Sequence, residues 1–194
     1  MAATMGGCGR EAPAPAERTT EPPTQDGSPS PPVAAVTRRD LEGLTYSSEF
    51  AGPGRVTLLD GVYQEPVMPG AATVTLVLLT EYVAFGDLNG DGVGDAVAVL
   101  ETDPGGSGVF FELVGVVATD KGPRQIAAES LGDRTDIEGI AIDDGVVSID
   151  LITHGPEDPM CCPTARERRS YRLVGDSLIP LGADGAPALQ QGHG

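Results

Sequence analysis

The chain has no tryptophan, and aromatic residues make up only 4% of its 194 positions. A platform that stacks sugar rings needs such side chains, so none is expected here. Lysine is almost missing too. Lys121 is the only one, and Lys and Arg together number 12 against 29 acidic residues. The formal net charge of -17 argues against nucleic acid or an anionic membrane surface as a partner and favours cations. No run of 18 apolar residues occurs, so no segment predicts a membrane span. The longest run, near Val74 to Leu79, has the length of a strand.

What is present divides the chain into three parts. Residues 1–37 hold a short Gly-rich start and then EAPAPAERTTEPPTQDGSPSPP, rich in Pro, Ala, Thr and acid with no apolar period. Such a segment cannot bury enough surface to fold, and its prolines hold it semi-extended as a spacer. Residues 182–194 read as a disordered tail. The folded part is expected over 38–181 as one domain.

Within it, short β-type runs alternate with turn signals. Arg55–Leu59 and Val62–Glu65 flank Asp60-Gly61, Ile137–Asp143 and Val146–Thr153 flank Asp144-Gly145, and Ser170–Val174 and Ser177–Ile179 flank Gly175-Asp176. Each reads as a hairpin. Thr73–Leu79, Tyr82–Phe85, Ala96–Leu100 and Val109–Ala118 are more continuously apolar, as central strands covered on both sides should be. Thr37–Leu44, and with weaker periodicity Gln125–Leu131, read as a helical turn or two. The expected fold is mainly β. It is a single domain of roughly nine or ten short, mostly antiparallel strands, a sandwich or a curved sheet with little helix.

One stretch concentrates chemistry: Asp-Leu-Asn-Gly-Asp-Gly-Val-Gly-Asp, residues 87–95. A hard cation such as Ca²⁺ takes six to eight oxygens, which a tight loop can supply from alternate residues. Asp87, Asn89 and Asp91 stand at ligand positions 1, 3 and 5, Gly92 at the sharp turn, the Val93 carbonyl at 7 and Asp95 at 9. Position 12 is Ala98, so this is not an EF-hand. The alternative is an Asx-rich turn without metal. The run resembles the calcium loops of FG-GAP and dockerin repeats, with Val83-Ala-Phe-Gly86 leading in and Ala96-Val-Ala-Val-Leu100 leading out. It occurs once, so neither a propeller nor a dockerin is implied.

The second cluster is His154-Gly-Pro-Glu-Asp-Pro-Met160-Cys161-Cys162-Pro163-Thr164. Adjacent cysteines can close only a strained ring, since adjacent Cα atoms lie about 3.8 Å apart and ordinary disulfides want about 4.4–6.8 Å. A vicinal disulfide, a soft-metal (Cu or Zn) or thiol redox site using His154, Met160, Cys161 and Cys162, and plain thiols all remain open. No GxSxG motif is present, and Gly105-Gly-Ser-Gly108 lacks the lysine of a phosphate loop. An enzyme is not expected.

Met1-Ala-Ala-Thr-Met-Gly-Gly-Cys8-Gly resembles the end of a bacterial lipoprotein signal, in which small residues precede a lipidated cysteine. The basic and apolar parts of such a signal would come before it, so a start placed too late and a trimmed chain both stay open, and the alternative is a free cysteine in a flexible tail. Tyr82–Leu100, the Gly-Gly-Ser-Gly hairpin and the Thr-His-Gly-Pro-Glu-Asp-Pro-Met-Cys-Cys-Pro-Thr segment together look like a group of uncharacterised bacterial envelope lipoproteins. That resemblance covers most of residues 45–174. It implies a cell-envelope location, membrane contact only through a lipid on Cys8, and no activity.

Overall fold

The computed structural model describes residues 1–2, 32–159, 161–182 and 185–187. Cys8, Met160, nearly all of the Pro-rich spacer and most of the C-terminal tail lie outside the described residues. The order of elements is α1 (Arg38–Gly43), β1 (Thr45–Ser47), β2 (Arg55–Thr57), β3 (Val62–Pro66), β4 (Val74–Gly86) and β5 (Asp95–Asp103). Then follow β6 (Phe110–Val117), β7 (Arg124–Asp133), β8 (Asp136–Asp143), β9 (Val146–Thr153), β10 (Ala165–Val174) and β11 (Ser177–Leu181). All pairings are antiparallel, in three sheets: β1-β2, β3-β4-β5-β6-β7 and β11-β10-β9-β8. The mainly β domain expected from the sequence is the observed one.

The five-stranded sheet is the middle layer. Ala96 to Leu100 on β5 are all fully buried, because alternate side chains feed two different cores. Ala96, Ala98 and Leu100 meet Leu41, Tyr46, Val56, Leu58 and Val114 under α1 and the small sheet. Val97 and Val99 face the other way, onto Leu113, Val147, Ile149, Leu151 and Tyr171. Each large aliphatic side chain buried in these clusters contributes about 1.5–3 kcal/mol. β8 lies over β4 and β11 against β7, so β3 projects past the covering sheet.

Local chemistry sets the boundaries. Thr37 caps α1 in a capping box: its hydroxyl accepts from the Asp40 amide at 3.3 Å, and the Asp40 carboxylate accepts from the Thr37 amide at 2.9 Å. The Asp144-Gly145 hairpin joins β8 to β9, with φ of 46° and 71° at its two central residues. Val36 is buried and donates its amide to the Gly94 carbonyl at 2.8 Å, so packed chain begins ahead of α1.

Three expectations need correction. Gln125–Leu131 is not helical but part of β7, paired along β6 from Phe110 to Val117. Its helix-forming residues yield to ladder bonds and to burial of Ala127 and Leu131. Asp60-Gly61 does make a tight turn, closed by Leu59 and Val62, but the flanking strands diverge. β2 pairs with β1, while β3 pairs with β4. Finally, the expected runs Thr73–Leu79 and Tyr82–Phe85 merge into one strand, β4, which begins at Val74 and is interrupted by a bulge between Leu79 and Val83. Thr80 fastens that bulge by donating its hydroxyl to the Val99 carbonyl at 2.9 Å.

Candidate functional site

The acidic loop spans residues 87–94, between the end of β4 and the start of β5. Gly90 and Gly92 both have φ of 81°, in the left-handed region that other residues enter at a cost. Those turns let Asp87 collect two amides: Oδ1 accepts from Gly90 at 2.7 Å and Oδ2 from Gly92 at 2.8 Å. The bond from the Gly92 amide is the main reason its pKa lies below the usual carboxylate range. Asn89 accepts from the Asp91 amide at 2.9 Å and donates its own Nδ2 to Asp91 Oδ2 at 2.9 Å. Asp91 Oδ1 accepts from the Val93 amide at 2.7 Å, and Val93 packs half-buried against the core under α1.

Asp95 differs from the other two carboxylates. It is fully buried, and its oxygens accept from two backbone amides, Leu88 at 3.0 Å and Ala118 at 2.9 Å. It thus ties the loop to the end of β6. Burial pushes its pKa up, and the charges of Asp91 and Asp87 push the same way against the two hydrogen bonds. Among the described residues, no ion pair involves Asp87, Asp91 or Asp95. No three His, Cys, Asp or Glu side chains among the described residues stand converged as a metal-ligand group. The loop's oxygens are turned onto its own amides. The loop carries three carboxylates with no basic partner among the described residues, and oxygen is the donor type that a hard cation takes.

The β9–β10 connection holds the second cluster. Cys161 and Cys162 form a disulfide across a Cα–Cα distance of 3.8 Å, and both residues are exposed. Asp158 clasps the loop: its Oδ2 accepts from the Gly155 amide at 2.8 Å and the Thr164 amide at 2.7 Å, and its Oδ1 from the Thr164 hydroxyl at 2.8 Å. These bonds, that from Gly155 foremost, lower its pKa, and the nearby His154 charge adds to the effect. His154 and the cysteine pair therefore share one loop. Joined as a disulfide, the two sulfurs offer no thiolate to a soft metal.

Two features escape a linear reading. Glu112 is buried on β6, where its carboxylate accepts from the Ser48 hydroxyl and the Glu49 amide, and burial raises its pKa. The only signal for it is an acid inside the apolar run Phe110–Val117. The other is a cleft of about 470 Å³ where β3 overhangs the covering sheet. Compared with family models, curated proteins and solved structures, the chain matches none.

Proposed function

We propose that this chain is a non-enzymatic, calcium-stabilised β domain, tethered to a bacterial cell envelope through a lipid on Cys8 and serving as a binding or structural module. One observation carries the reading. Asp87, Asp91 and Asp95 lie within nine residues of one another, Asp95 is buried, and among the described residues no basic side chain pairs with any of them. Like charges so close raise one another's free energy unless a cation neutralises them. Ca²⁺ would supply that charge, held by Asp87, Asn89, Asp91, the Val93 carbonyl and Asp95, with water completing the shell. The Val36–Gly94 hydrogen bond brings the chain that follows the spacer against this loop, so an ion there would firm the point of attachment.

Calorimetric titration of the purified protein tests the ion. One saturable Ca²⁺ site is expected, with Mg²⁺ much weaker, and loss of the site in Asp87→Asn and in Asp91→Asn. Calcium heats unchanged in both variants would remove the loop from the reading. For the anchor, metabolic labelling with a fatty acid should mark the protein expressed from its own gene and should vanish in Cys8→Ser. Undiminished label would overturn that assignment.

The exposure of Cys161 and Cys162 favours a second reading, thiol redox or soft-metal binding by His154, Met160, Cys161 and Cys162 in the reduced form. Elemental analysis distinguishes the two, by Ca in the first case and Cu or Zn in the second.

A further inference from the structure

The cleft beside β3 is built by register. Val62, Leu78, Glu101 and Phe111 are directly paired neighbours across β3, β4, β5 and β6, so their side chains share one face of the middle sheet. That face is the one β8 to β11 cover. Because β8 lies over β4, the row is left partly open where β3 projects past it. Ile137 and Asp136 at the start of β8 form one wall, and the bulge residues Glu81 and Tyr82 another. The result is a cleft of about 470 Å³, in the size range of small-ligand sites.

Its chemistry is one-sided. Val62, Leu78, Phe111 and Tyr82 line it together with the carboxylates Glu42, Asp60, Glu81, Glu101 and Asp136. The single basic residue lining it among the described residues, Arg38, is already engaged, by Glu42 at 3.1 Å and by the Thr80 carbonyl at 3.2 Å. Glu81, Glu101, Asp60 and Asp136 have no ion pair among the described residues. Aromatic side chains beside carboxylates that make no ion pair are the residue types that hold a weakly hydrated organic cation. A metal ion would gain nothing from the rings, and an anion would be repelled.

We propose that this cleft binds a small alkylammonium ion, a methylated or quaternary amine of choline size. The site stands apart from the acidic loop: Asp95 and Glu101 are separated along β5 by about 20 Å at the usual rise per residue. The inference therefore rests on the cleft and not on calcium, and it survives or fails without regard to the Asp87 variants.

The test is titration of the whole chain with choline, followed by the Tyr82 and Phe111 ring resonances, beside the neutral isostere 3,3-dimethylbutanol. Saturable choline binding is expected, with the isostere at least about tenfold weaker, as loss of one desolvated cation–π contact implies. Glu101→Gln should weaken choline by roughly fivefold, and Glu81→Gln provides the same readout if the first variant melts early. Millimolar Ca²⁺ should not displace choline. Equal binding of the neutral isostere, displacement by Ca²⁺, indifference to both carboxylate variants, or no saturation would each overturn the proposal. Phosphatidylcholine vesicles separate the sources of the group. Co-sedimentation that Glu101→Gln abolishes would replace the free ion with a lipid headgroup and so overturn the assignment to a small free ligand.

Discussion

Replacing Asp95 with alanine should do more damage than any other single change in the acidic loop, for reasons that need no metal. Its two oxygens accept from the amides of Leu88 and Ala118, and both of those residues are buried. Alanine would leave two buried N–H groups without an acceptor, at about 1–3 kcal/mol each, hence about 2–6 kcal/mol together. Relief of repulsion from Asp87 and Asp91 offsets part of this. Asn is the sharper control. It removes the charge and keeps one acceptor, but turns an NH₂ toward the second amide, so about 1–3 kcal/mol is expected. Natural domains have about 5–15 kcal/mol in total, so Asp95→Ala should sit near the edge of folding. Urea unfolding in EGTA, with fluorescence and circular dichroism as two probes, measures both variants. An alanine variant within about 0.5 kcal/mol of the parent would refute the claim that Asp95 is the buried tie between the loop and β6.

Further outcomes follow from other parts of the fold. A Cβ on Gly86 would lie 2.8 Å from Ile142 Cγ2, so Gly86→Ala must displace Ile142 and should cost about 1–3 kcal/mol in urea unfolding; a neutral effect would mean that Ile142 gives way freely. Alkylation without reductant should label neither Cys161 nor Cys162, and both should react after a dithiol. Ready labelling beforehand would show the thiols free. Asp158→Ala should open the β9–β10 loop, giving faster proteolysis between Gly155 and Thr164 with little change in melting temperature. An unchanged cleavage rate would show that the loop closes without its clasp.

The pH dependence has a definite sign. Asp95 and Glu112 bind protons more tightly folded than unfolded, because burial raises both pKa values. Their contribution is full below the ordinary carboxylate range and is lost as pH rises through their folded values. Asp87 and Asp158, held low by amides, contribute above that range and lose it only in stronger acid. In EGTA, stability should therefore fall as pH rises out of the ordinary carboxylate range toward neutrality. A steady rise over that interval, read by urea midpoints, would contradict the burial of these two carboxyls.

Much of this architecture is legible locally, because the relevant constraint is local. Asp144-Gly145 and Asp60-Gly61 must turn wherever they fall, since both residues of each pair take positive φ. The unbroken apolar run of β5 announces cover on both sides. The Asp60-Gly61 case shows the limit: a turn fixes chain reversal but not the partner, and β2 and β3 leave it for different sheets. β7 was hidden because Gln125-Ile-Ala-Ala-Glu129 has good helix formers and only one β-branched residue, and because its partners lie on β6 and β1. Gln125 exchanges two side-chain hydrogen bonds with the Ser47 backbone, a pairing across 78 positions. Thr80-Glu81 looked like a break in β4, since a bulge fastened to Val99 is not a local property.

The candidate sites divide in the same way. The spacing of Asp87, Asn89 and Asp91 is visible in the sequence, whereas the amide of Ala118 that occupies Asp95 lies 23 positions away. The alkylammonium cleft could not be read linearly at all, because its row takes one residue from each of four strands.

The most direct test of the calcium reading is the melting temperature of the intact chain in EGTA and then in Ca²⁺. An ion that binds the folded loop and not the unfolded chain stabilises by about 2.7 kcal/mol at a hundredfold excess over Kd. For a domain of this size that amounts to roughly 5–10 °C. The expected result is a fall of that order in EGTA, restoration by Ca²⁺ but not by Mg²⁺, and no response in Asp87→Asn. A melting temperature indifferent to EGTA and to added Ca²⁺ would contradict the reading and leave the loop as a hydrogen-bonded turn.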